Sequence, residues 1–143
     1  MKTLLLLAAG GFLVVQSNAQ QTTGKTTPHK TQTATLSPEK SKMLCKAWRL
    51  DSVEQFGVLH AANAKEKGDA ITFVADGSYF ITSEGVAATG TWKCNGSAYI
   101  YTSSGTPENK MMYKIMGLAD GRLALEYQTP DLIRIHYIYK PKQ

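Results

Sequence analysis

The feature that most limits how this chain can fold is the rhythm of its connections. Apolar and polar residues alternate in eight runs, 47–55, 70–75, 78–83, 87–94, 97–102, 110–118, 122–128 and 132–140. A period of two predicts strands. Three of the links carry tight hairpin signals, Asp76-Gly77, Asn95-Gly96 and Asp120-Gly121, whose glycines suit the positive φ of short turns. The other four, 56–69, 84–86, 103–109 and 129–131, are longer. Longer and tight links alternate strictly. If consecutive strands are antiparallel neighbours, the tight turns gather at one end and the longer loops at the other, so one end is closed and the other is a mouth. Eight strands also suffice for a meander to close into a small barrel, filled by side chains or holding one small ligand. The expected fold is all-β, an eight-stranded antiparallel up-and-down barrel. A two-sheet sandwich is the alternative, and it usually needs longer crossovers.

What precedes the strands is different in kind. Lys2 is followed by an apolar or glycine run over 4–15 and then by Gln16-Ser17-Asn18-Ala19, the pattern of a signal peptide cut after Ala19. The nearest cysteine is Cys45, far from the cut, so a lipid anchor is not expected. The expected location is periplasmic or secreted. Residues 20–36 hold seven threonines and little to bury, which predicts a disordered linker. The folded domain is then 37–143. Ser37, Pro38 and Glu39 make a helix start, as N-cap, first helical residue and first-turn acid. The helix, over 38–45, has only Met43 and Leu44 as an apolar face and must dock on something larger.

The net charge of +5 suggests nucleic acid until its placement is read. From Ala47 onward ten Lys or Arg face ten Asp or Glu, so the excess belongs to the tail. No nucleic-acid partner is expected. No run of eighteen apolar residues occurs, so no integral membrane association is expected either. His29, His60 and His136 have no metal-ligand spacing, and no nucleophile elbow, phosphate loop or zincin motif is present. The sequence implies no catalytic residues, metal or cofactor.

Four segments resemble the small exported lipocalin-like domains of Bacteroidota. Leu44-Cys45-Lys46-Ala47-Trp48-Arg49-Leu50 is similar to the family's L-x-G-x-W-x-L opening, with Lys46 where the glycine stands. The stretch from Ala70 to Tyr79 resembles its L-T-F-x-x-D-G-T-Y hairpin, and Gly90-Thr91-Trp92-Lys93 with Asn95-Gly96 its G-T-W-x-x-x-G segment. Residues 112–127 and 133–140 resemble its closing strands. The resemblance implies a lipocalin-like barrel in which Trp48 packs at the closed base against a basic residue of the last strand, Arg134 or Lys140.

Two functions of different class follow. One is a carrier of a small, mainly apolar ligand, with Leu50, Phe73, Ile81, Trp92, Tyr113, Leu125, Ile135 and Tyr137 lining the cavity and segment 56–69 as a lid. Inward tyrosines would offer apolar faces and a hydroxyl to orient the ligand. The other is a filled barrel acting through its surface on a protein partner, as an interaction or inhibitory module. A barrel-cavity isomerase or hydrolase lacks any identifiable residue set. An interior pocket of about 300 Å³ or more is what a drug-sized ligand requires. Several strands are apolar on both parities, Tyr113 and Ile115 against Met116 and Leu118 for example, which asks for a helix or a partner on the outer face. Strand order brings Cys45 and Cys94 to the closed end, and export favours oxidation, so a disulfide between them is expected.

Overall fold

The computed structural model describes residues 36–143 except Ser97. The expected leader and nearly all of the threonine-rich linker lie outside the described residues. One helix, α1 (Pro38–Leu44), precedes nine strands: β1 (Ala47–Gln55), β2 (Val58–Ala61), β3 (Ala70–Phe73), β4 (Ser78–Ser83), β5 (Val86–Asn95), β6 (Tyr99–Ser104), β7 (Asn109–Ala119), β8 (Arg122–Gln128) and β9 (Arg134–Pro141). From β3 to β9 each strand pairs antiparallel with the next, and β1 pairs with both β3 and β9. That closes an eight-stranded up-and-down barrel, as the connection pattern predicts. Among the described residues no helix is long and apolar enough to cross a membrane.

The additional strand is β2, which sequence reading leaves inside a loop. Gln55 pairs with Val58, so Phe56 and Gly57, at φ 52° and 75°, form a two-residue turn, and β2 runs back along the upper half of β1. Positive φ at both central positions matches the right-handed twist of a hairpin. Glu84-Gly85 does the same between β4 and β5, at φ 47° and 82°. A link expected among the longer ones is thus a tight one. Asp76-Gly77 is the converse case. The Gly77 amide donates to the Val74 carbonyl and Gly77 takes φ 89°, so the loop is a turn with a glycine bulge, and Asp76 Oδ1 accepts the Ser78 amide at 2.7 Å. The glycine of Asp120-Gly121 does not take a positive φ.

Two bulges resolve the strands that read as apolar on both faces. In β7 the register shifts between Ile115 and Gly117, so Ile115 pairs with Leu125 and Leu118 with Leu123, on the same side of the sheet. Met116 is left outside, exposed, as is Met112 nearer the start of the strand. In β1 a shift between Leu50 and Ser52 brings Val53 opposite Tyr137, where an unbroken alternation would turn it outward.

The lower half of the barrel is filled. Trp48, Phe73, Tyr79, Ile100, Leu123 and Leu125 are buried there together with Leu44, which α1 inserts into the core. Phe73 packs against Tyr79 at 5.4 Å and against the edge of Trp92 at 5.3 Å between ring centroids. The helix starts as its sequence predicts, with Ser37 Oγ accepting the Lys40 amide at 3.3 Å and Pro38 in the first turn. Its end is tied down by Trp48, whose indole Nε1 donates to the Leu44 carbonyl at 2.9 Å.

Two expectations for this base are corrected. The cation over Trp48 is Lys46, with Nζ 5.1 Å from the ring centroid, and not Arg134 or Lys140. Arg134 begins β9 at the mouth, paired with Gln128, a barrel length from the indole, and Lys140 bonds Asp51 at 2.8 Å on the outer wall. Lys46, two residues before the indole, therefore supplies the charge. Cys45 and Cys94 are free thiols rather than a disulfide. Both are partly buried, Cys45 closing α1 beside Ser41 Oγ and Cys94 packed on the core from β5, and each is held by its own element.

Candidate functional site

The barrel is not filled to the top. β3 is short and meets β1 only from Ala47 to Arg49. Above that point segment 62–69 covers the gap, pinned by the Leu50 amide donating to the Asp69 carbonyl at 2.9 Å and the Ala62 amide to the Asp51 carbonyl at 3.0 Å. Beside the end of this segment, with Asp69 in its lining, lies a void of about 150 Å³. Leu50, Ile71, Ile81 and Met111 supply its apolar walls, the rings of Tyr113, Tyr137 and Tyr139 face it, and Asp69, Ser83 and Asn109 stand at its rim.

All eight cavity candidates read from the sequence share the inward face by strand register, because period two and the hairpin pairings fix parity. The structure then divides them. Leu50, Ile81, Tyr113 and Tyr137 line the void. Phe73 and Leu125 belong to the filled core and Trp92 packs against it. Trp92 is held there by its Nε1 donating to the Val74 carbonyl at 2.8 Å. Ile135 sits higher on β9, paired with Gln55 and Tyr127, and does not reach the void. The expected lid divides too: its first part is the β2 hairpin, and its last residue, Asp69, is the one that lines the cavity. Asp69, Met111 and Tyr139 were legible as inward or rim positions only once the register was known. Tyr139 does carry a signal, the i, i+2 spacing from Tyr137.

The electrostatics of the void are those of phenols held neutral. Burial, reinforced by neighbouring tyrosines, pushes the Tyr113 and Tyr139 hydroxyls well above the ordinary phenol range. Tyr79, below them, is pushed up to about 12, mainly by burial. Tyr137 is raised by burial and then by Tyr127, Glu66 and Asp69. All four stay protonated donors at neutral pH. Tyr113 spends its hydroxyl on Met111 Sδ at 3.3 Å, whereas the buried Tyr79 hydroxyl has no hydrogen-bond partner among the described residues. The arrangement can receive a small molecule with an apolar body and a polar group.

A second feature lies on the outer wall. His136 pairs across strands with Glu126 on β8 and Glu54 on β1, its Nε2 lying 3.0 Å from Glu126 Oε2 and its Nδ1 3.6 Å from Glu54 Oε2. It floors a groove of about 460 Å³ rimmed by exposed Phe56, Met116 and Leu132. Among the described residues no group of three His, Cys, Asp or Glu is placed to hold a metal ion. No family model, curated protein or solved structure matches this chain.

Proposed function

We propose that the protein is an exported, lipocalin-like barrel that binds one compact small molecule in the upper half of its interior. The observation that carries this reading is the void of about 150 Å³ lined by aliphatic side chains and tyrosine rings, with Asp69 at its rim. An engineered cavity of about that volume takes up benzene, while drug-sized ligands need about 300 Å³ or more. The ligand class is therefore a molecule of about single-ring size, at the small end of the small, mainly apolar ligands the sequence suggests. The leader supports export, and intact-mass analysis of the protein from its native envelope tests a mature chain starting at Gln20.

A thermal-shift screen of single-ring compounds against the full chain tests the binding reading. Ile81→Trp fills the void from one wall, so hits should lose their effect in that variant. Hits that persist there place binding elsewhere and sink the proposal. A second reading, a surface module for a protein partner, is favoured by the apolar rim of the outer groove, where Phe56 and Leu132 are 78% and 74% exposed. Capture of a partner that Phe56→Ser with Leu132→Ser abolishes, and Ile81→Trp does not, would select it.

A further inference from the structure

The rim of the void carries a carboxylate that has no counter-ion among the described residues. Asp69 is only 8% exposed. It is fixed on three sides: its carbonyl accepts the Leu50 amide at 2.9 Å, its amide donates to the Glu66 carbonyl at 2.8 Å, and its Oδ1 accepts the Glu84 amide at 2.6 Å. Among the described residues that last bond is the only one to its carboxylate. The lysines nearest to acids are committed elsewhere, Lys46 to Asp120, Lys110 to Glu108 and Lys140 to Asp51, and the His136 ring lies against Glu54 and Glu126 on the outer wall. The charged groups that act on Asp69 are Glu66 and Glu84, both acidic. Burial first, and then those two neighbours, hold its carboxyl above the ordinary range against the lowering effect of the Glu84 amide. Among the described residues no Lys, Arg or His lines the void.

A buried carboxylate without a partner is costly, and the cost falls when a cation or donor is brought to it. A second anion at the same place would add repulsion in a poorly screened site. The tyrosine rings that line the same void also attract a cation. We propose that the cavity selects a compact organic cation, a protonated primary amine on a single ring, with the ammonium group at Asp69 and the ring between Ile81, Met111 and the faces of Tyr113 and Tyr137. This rests on the reading that the barrel interior binds a small molecule, and it excludes carboxylates such as fatty acids.

Calorimetric titration of the full chain at pH 7 with benzylammonium, benzyl alcohol and benzoate tests the charge preference at nearly constant size. A hydrogen bond to a charged group exceeds a neutral one by enough to predict about tenfold tighter binding of the amine than of the alcohol. Benzoate should bind more weakly than both. Asp69→Asn keeps an oxygen for the Glu84 amide and should bring the amine down to the level of the alcohol. In the wild type the Glu84 amide resonance should move on adding benzylammonium, which reads the same contact without a variant. Equal affinity for amine and alcohol, an amine unaffected by Asp69→Asn, or an unmoved Glu84 amide overturns the cation assignment while the cavity reading stands. Binding of none of the three overturns both.

Discussion

Gly90 and Ser103 approach so closely that no side chain fits between them: a Cβ built on Gly90 would stand 1.7 Å from the Ser103 carbonyl oxygen and 2.7 Å from the Ser104 Cα. The obstacle is backbone of the paired strand β6, which cannot swing aside as a flexible side chain would. Gly90→Ala is expected to destabilise by about 3 kcal/mol or more, at the upper end of overpacking effects. Gly121→Ala is the matched control, since nothing lies within 4 Å of its added Cβ and its φ is not positive. It should be neutral or stabilise by about 0.4 to 1 kcal/mol through the unfolded state. Urea midpoints of the two variants measure the difference.

Lys46 serves two residues at the base, the Trp48 ring and Asp120, whose carbonyl it bonds at 3.2 Å and whose exposed carboxylate lies 3.7 Å away. Lys46→Met keeps the hydrocarbon stem and removes the charge, so the loss should be about 0.5 to 1 kcal/mol. Trp48→Phe goes further, removing the indole donor that holds the Leu44 carbonyl. Hydrogen exchange over 38–45 should rise in Trp48→Phe and stay near wild type in Lys46→Met.

Alkaline pH should unfold the barrel from the inside. Free phenols titrate near 10, Tyr79 near 12 in the fold, and Tyr113 and Tyr139 are raised as well. Below pH 10 both states hold these protons, and nothing is lost. Above it the unfolded chain releases them first, so stability falls as pH rises towards the folded values, by about 1.4 kcal/mol per pH unit for each phenol. Tyrosinate absorbance should show an early exposed fraction and a late fraction that appears only with loss of the β-sheet circular dichroism signal. A single smooth titration near pH 10 would contradict the buried cluster.

Free thiols make a prediction of their own. Unfolding the protein without reductant should expose two reactive thiols per chain, since Cys45 and Cys94 are unbonded. In the fold, burial and then the neighbouring Cys45 push the Cys94 thiol up to about 11. Its thiolate fraction at pH 8 is correspondingly small, so labelling of native Cys94 should lag well behind that of the unfolded chain. Mass mapping of the labelled cysteines follows both.

The sequence carries parity and order well and volume poorly. Leu50, Phe73, Ile81 and Tyr137 all face inward as their alternation requires, because a one-residue slip would turn a whole strand inside out. Whether they enclose space depends on how Trp48, Phe73, Tyr79 and Trp92 interlock below them, and that is a property of side-chain packing with no periodic signal. Turn chemistry misled where the glycine followed an unusual residue: Phe56 and Glu84 sit at positive φ that neither residue type announces. Asp69 was hidden for a similar reason. It reads as the end of a loop, and only the short β3 and the cover of segment 62–69 make it part of a wall.

The β2 hairpin leaves the cylinder with one loose margin. Closure pairs every other strand on both sides, but β2 pairs only with β1, so the outer row of amides and carbonyls on Val58–Ala61 is unpaired. An open margin with exposed Val58 and Leu59 is a template on which another extended chain can add, the usual route to strand-swapped oligomers and fibrils. Its length sets the hazard, for four residues offer too few ladder bonds to hold an intruding strand against the entropy of ordering it. Lengthening β2 by even a few residues would turn a harmless remnant of an edge into an adhesive one.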